Sequence, residues 1–199
     1  MNGALAISLK IGMSAFSLTP KDLRTRSLLF VGAGHSPFTA QVNACGGRCV
    51  AMDVRYANDD EVLREAALLT LPEISSSSLP QRELHTNRDL FATDYLLNRK
   101  SYITPLEHNR GRFDLVLYFD VHKIVIDLPS ASSVDFCDRL MQMAARSVRI
   151  VPSPTSRREV ELYAGRRGHR ARWFSSSLAE QAGMASGVAI DLKPQDASD

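Results

Sequence analysis

Long apolar runs are missing from this 199-residue chain, and none approaches the ~20 residues that a membrane-crossing helix needs. The mildly apolar start, residues 1–11, has no charged opening and no uninterrupted apolar centre, and Lys10 sits inside it. It does not read as a secretory signal, and the expected location is cytoplasmic. Cysteine is scarce: Cys45, Cys49 and Cys137 stand in no metal-ligand pattern, and their odd number fits a reducing compartment. They read as small core residues, and no metal is expected. Net charge is also small; at +2 it does not by itself demand a nucleic-acid or membrane partner. There is no internal repeat and no heptad. What is left is the composition of an ordinary globular chain, long enough for one domain with a substantial core.

One stretch organises that chain. Residues 27–31 form an apolar strand that runs into Gly32-Ala33-Gly34-His35-Ser36-Pro37. Glycine at 32 and 34 permits positive φ and close approach of a ligand, while Ser36 can cap a helix with Pro37 at its first position. Phe38, Val42 and Cys45 then recur at helical spacing until Gly46-Gly47 ends the helix. A second buried-type strand, Arg48-Cys49-Val50-Ala51-Met52, closes on Asp53-Val54. An acid at the tip of the second strand of a βαβ unit is placed to accept hydrogen bonds from a ribose. As a dinucleotide fingerprint the third glycine would be Pro37, which counts against NAD.

Read as Gly-x-Gly-x-Gly with Ser36 in the last slot, the segment resembles motif I of the class I S-adenosylmethionine-dependent methyltransferases. Val50-Ala51-Met52-Asp53 resembles that family's second strand, and Phe113-Asp114-Leu115-Val116-Leu117-Tyr118-Phe119-Asp120-Val121 its fourth. Two positions depart from the pattern, Phe30 where an acid is common and Ser36 for the third glycine. The resemblance implies an α/β, Rossmann-like fold, with a mostly parallel, doubly wound sheet flanked by helices. S-adenosylmethionine is the implied cofactor, held at Gly32, Ala33, Gly34, His35, Asp53 and Val54. An acid after the third strand would read the adenine.

The third strand itself is expected at Leu90-Phe91-Ala92-Thr93, which makes Asp94 that acid and Tyr95 its neighbour. The other candidate is 82–86, with Asp89 in reserve. Before it, Val62, Ala66 and Leu69 mark a helix ending at Pro72, and 72–87 reads as a long polar loop. Residues 96–112 suggest a short helix and a turn. After the fourth strand, Asp120 and His122 should face the reacting group, His122 as a general base and Asp120 orienting it. Ser132 or Ser133 starts the next helix, with Phe136, Leu140 and Met143 on one face and Arg146 at its negative end. Residues 148–151 follow as strand five, closed by Pro152.

The last third is rich in arginine, with Arg157, Arg158, Arg166, Arg167, Arg170, Arg172 and His169 among Tyr163, Trp173 and Phe174. Such a stretch suits an anionic or single-stranded nucleic-acid partner, or a solvated, partly helical excursion whose arginines pair with acids. A capping box at 177–180 and Gly183 bound one more helix, and 188–192 is the final strand. A seventh, antiparallel strand is not expected, which leaves a sheet edge where a second copy could pair. The domain reading is an N-terminal extension at 1–15, a methyltransferase-like domain at 16–192 and a disordered tail at 193–199. Function is expected to be methyl transfer to a small-molecule acceptor. The alternatives are an RNA methyltransferase using the arginines at 157–172, and a non-catalytic interaction protein with this fold.

Overall fold

The computed structural model describes residues 7–71, 79–105, 113–119, 133–151, 157–174 and 187–191. Its centre is a seven-stranded sheet made of β1 (Ser27–Val31), β2 (Arg48–Met52), β3 (Tyr102–Ile103), β4 (Phe113–Phe119), β5 (Ala144–Val151), β6 (Arg170–Phe174) and β7 (Gly187–Asp191). The spatial order is β3-β2-β1-β4-β5-β7-β6. β3, β2, β1, β4 and β5 pair in parallel, and β7 pairs antiparallel with both β5 and β6. Helices lie between β1 and β2, between β2 and β3, and between β4 and β5, the crossovers that parallel pairing calls for.

The helices are α1 (Leu9–Ala15), α2 (Pro20–Thr25), α3 (Phe38–Ala44), α4 (Asp59–Leu68), α5 (Gln81–Leu97), α6 (Ser133–Met143) and α7 (Arg157–Arg166). Two apolar layers sandwich the sheet. Alternation in β1 sends Leu28 and Phe30 to one, with Phe16, Phe38, Phe91 and Tyr102, and Leu29 and Val31 to the other, with Leu140, Val148 and Tyr163. All four of these β1 side chains are fully buried, as expected of a central parallel strand. Phe30, standing where the family often has an acid, instead packs edge-on between Phe16 and Phe38.

Three sequence expectations are corrected. Residues 90–93 and 82–86 are not strands, because both lie inside α5, which also makes residues 81–87 of the expected loop helical. Leu84, Asn87, Phe91 and Tyr95 are buried at spacings of three and four, a helical stripe that outweighs the β propensity of four local residues. Strand three is the two-residue β3, reached from α5 through a 3-10 turn at Arg99–Ser101. The seventh strand is present. Within the arginine-rich stretch, residues 170–174 form β6, so the strand expected at 188–192 is the antiparallel β7. Arg146 does not end a helix; β5 begins at Ala144, and Arg146 pairs with Asp114 of β4 at 3.2 Å. The predicted helix at 177–180 lies outside the described residues.

Candidate functional site

The turn after β1 is held in place by main-chain groups and by the tip of β2. Gly32 and Gly34 both take positive φ, 68° and 52°. The Gly32 N–H donates to the Met52 carbonyl at 2.8 Å, tying the turn to the neighbouring strand. Ser36 closes its far end: its hydroxyl donates to the Ile7 carbonyl at 2.8 Å and accepts from the Phe38 N–H at 3.1 Å. Ser36 thus serves the helix start as its sequence suggests, although α3 begins at Phe38 with Pro37 in the capping position. Ile7 and α1 lie against this end, and Gly12 of α1 leaves no room for a side chain against the Phe38 ring.

Asp53 is the hub of the site. Its Oδ2 accepts the Gly34 N–H at 2.8 Å and its Oδ1 the Arg55 N–H at 3.0 Å. The Arg55 guanidinium lies 3.7 Å from Oδ2, and the Asp53 side chain is only 1% exposed. Gly34 is gripped at its other end as well, because the buried Tyr56 hydroxyl donates to its carbonyl at 2.6 Å. Burial, with Asp53 adding to it, raises the Tyr56 pKa well above the usual phenol range, so the hydroxyl stays a donor. One residue of the turn is therefore fixed by two side chains from the segment after β2.

Around this hub, Arg55 reaches toward Glu65 of α4 at 3.8 Å, and Glu65 Oε2 lies 3.5 Å from His35 Nε2 without hydrogen-bond geometry. His35 is buried with its ring edge-on to Phe91. Desolvation, reinforced by Arg55, lowers its pKa to about 4, so the ring is neutral near neutral pH. Ala33 is also buried, whereas Val54 is 38% exposed beside Asp53.

The structure brings together six of the sequence-nominated residues: Gly32, Ala33, Gly34, His35, Asp53 and Val54. Asp94 and Tyr95 are not at a strand end. They sit on α5, where Asp94 accepts from the Tyr102 hydroxyl at 2.6 Å and the Tyr95 hydroxyl donates to Asp59 at 2.6 Å. Asp89, the reserve, is exposed and paired with Arg88. The residue that follows strand three is Thr104, which is buried. Asp120 and His122 lie outside the described residues. Sequence reasoning missed Tyr56, Arg55 and Glu65. Only the nearness of the first two to Asp53 marks them, and Glu65 reaches the site by one turn of α4 packing over it.

The strand order, the single reversed strand and the positive-φ glycine turn beside Asp53 define a class I methyltransferase fold. A solved structure with the same fold is the magnesium protoporphyrin IX methyltransferase of Synechocystis PCC 6803 with bound SAM. It is similar over 87% of this chain and 73% of its own, with a TM-score of 0.50 and 13% identity. Lower TM-scores are found for the C-terminal domain of precorrin-6Y C5,15-methyltransferase from Rhodobacter capsulatus (0.44, 12% identity, 92% of this chain and 86% of that one) and the methyltransferase domain of bacterial CtHen1 (0.47, 10% identity, 86% and 93%). No protein-family model and no curated protein sequence matches the chain.

Proposed function

We propose that this protein binds S-adenosylmethionine at the carboxyl edge of its sheet and transfers the methyl group to an oxygen or nitrogen of a small acceptor. The observation that carries this reading is the coupling of Gly34, in the positive-φ turn after β1, to the Asp53 carboxylate at the tip of β2. In an open α/β sheet, ligands bind at the carboxyl ends of the strands. Asp53 has the chemistry for a ribose diol: each oxygen accepts one main-chain hydrogen bond and keeps a lone pair. Half-buried Gly32 offers the bare backbone beside it. Val54 is the exposed apolar surface for the base.

When bound, this cofactor supplies an electrophilic methyl carbon. The chain's own contribution is orientation and exclusion of water, which suffices for in-line transfer to a well-placed amine or oxyanion. Val31 of β1 and Tyr118 of β4 are in register, so β4 ends at the same edge as the glycine turn. On this reading His122 takes the proton from the acceptor and Asp120 orients it. Calorimetric titration with S-adenosylmethionine and S-adenosylhomocysteine, with NAD as control, tests the proposal. Micromolar binding of both sulfur compounds, absent for NAD and lost in Asp53→Ala, is expected; wild-type protein that binds neither sinks it.

A further inference from the structure

Topology divides the arginine-rich stretch between two edges of the sheet. α7 runs back from the end of β5 to the start of β6, so its first residues, Arg157 and Arg158, belong to the carboxyl edge. Arg166, Arg167 and Arg170 belong to the opposite, amino edge. α6 runs the same way and carries Arg139, in its C-terminal half, toward that amino edge, where Arg146, near the start of β5, joins it. Arg139, Arg146, Arg166, Arg167 and Arg170 are all exposed. Two of them are matched by acids: Arg167 pairs with Asp138 at 2.6 Å and Arg146 with Asp114 at 3.2 Å. Asp191 is the cross-strand neighbour of Arg170. Arg139 and Arg166 form no ion pair among the described residues.

This concentration is hidden in the net charge. Residues 157–174 hold six arginines against two glutamates, while the rest of the chain carries more acid than base. The cations are all guanidinium groups, since no lysine occurs between 124 and 192. Planar guanidinium forks suit phosphodiester oxygens, which they can bind in pairs. The three aromatic residues of the stretch are committed elsewhere: Tyr163 is buried with its hydroxyl on Asp138, Trp173 packs against the second core layer, and the Phe174 ring lies against Gly187 of β7. A partner held here is therefore gripped by its charge and not by stacking of its bases.

We infer that the amino edge, formed by Arg139, Arg166 and Arg170 with Arg146 and Arg167, is a docking surface for the phosphate backbone of RNA. It is separate from the glycine turn at the carboxyl edge. Contact is to phosphates and is independent of base sequence. The surface anchors a polyanion without delivering it to the turn, which lies across the sheet.

The test is fluorescence anisotropy of a labelled single-stranded uridine oligonucleotide against the full chain over a series of NaCl concentrations. The wild type should bind with an affinity that falls steeply and log-linearly with salt. Arg166→Glu/Arg170→Glu should weaken binding at least ~10-fold and flatten the salt slope by about two phosphate contacts, leaving S-adenosylhomocysteine affinity unchanged. The neutral pair Arg139→Gln/Arg166→Gln, which removes two arginines that form no ion pair among the described residues, should give a smaller loss in the same direction with the fold intact. Wild-type protein that binds no RNA overturns the proposal, whether or not it binds phosphatidylserine vesicles. So does unaltered RNA affinity and slope in both double variants, with a lowered melting midpoint marking the arginines as partners of the α6 and α7 C-terminal ends only.

Discussion

Two side chains around the Gly34–Asp53 pair, Tyr56 on the Gly34 carbonyl and Arg55 on the Asp53 carboxylate, are separable by experiment. Tyr56→Phe removes one hydroxyl and leaves the buried Gly34 carbonyl unpaired, which costs about 1–3 kcal/mol and loosens the turn. S-Adenosylhomocysteine affinity should fall several-fold while the fold persists; an unchanged dissociation constant would mean that the turn needs no such support. Arg55 should behave in the opposite sense. Its guanidinium lies against Asp53, whose side chain is almost inaccessible, so a ribose must displace it. Arg55→Ala should therefore bind the nucleoside more tightly in the same titration, and weaker binding would show Arg55 to be a ligand contact. His35 gives a pH signature. Its pKa is about 4 folded and near 6.5 unfolded, so the unfolded chain takes the proton first as pH falls. The stability tied to the neutral ring is complete above pH ~6.5 and declines as pH drops toward 4, by on the order of 3 kcal/mol. Urea unfolding at pH 7.5 and 4.5 should show this loss in the wild type and a smaller one in His35→Asn.

Among the elements, the region from α5 to β3 depends on one arginine. Arg99 donates to Asp59 at 3.0 Å, to the Tyr56 carbonyl at 2.6 Å and to the Tyr102 carbonyl, with its guanidinium 5.2 Å from the Tyr95 ring centre. It thereby joins the start of α4, the end of α5 and β3, whose own ladder is only two residues long. Arg99→Lys keeps the charge but cannot reach three acceptors at once, so it should behave like Arg99→Ala. Each should lower the melting midpoint by roughly 4–8 °C, for a loss of about 2 kcal/mol; full rescue by lysine would reduce the residue's role to its charge. The same region shows why parts of the fold could not be read from sequence. β1, β2 and β4 each hold a continuous apolar run, at 28–31, 49–52 and 115–119, and their pattern is visible locally. Tyr102–Ile103 is too short for any alternation, and its strand character comes from pairing with Ala51 and Met52. Phe91 and Tyr95 have β propensity but belong to a helical stripe that only a longer window reveals. β6 was obscured by its arginines: the polar positions 170 and 172 look outward while Ala171 and Trp173 pack inward. Within the site, Asp53 and the two glycines were legible from spacing, whereas Tyr56 and Glu65 depend on how the segment after β2 folds back.

At the scale of the whole molecule, the sheet has two chemically different edges, and they should respond differently to salt. The glycine turn uses main-chain hydrogen bonds and a shielded carboxylate, and neither is strongly screened. The amino edge presents exposed guanidinium groups, whose hold on a polyanion depends on counterion release. A ligand that binds only the folded state stabilises it by about 2.7 kcal/mol at a concentration 100 times its dissociation constant. For a chain of this size that corresponds to a rise of roughly 5–11 °C in melting midpoint. With S-adenosylhomocysteine the rise should persist nearly unchanged between low and physiological salt, whereas any rise produced by an RNA oligonucleotide should vanish over the same interval. With both present at low salt the two shifts should add, because sites at opposite edges share no side chain. A marked excess or shortfall in the combined shift would measure a coupling free energy between the edges. The glycine turn and the arginine edge would then be parts of one binding event, with RNA bound at one edge altering nucleoside affinity at the other.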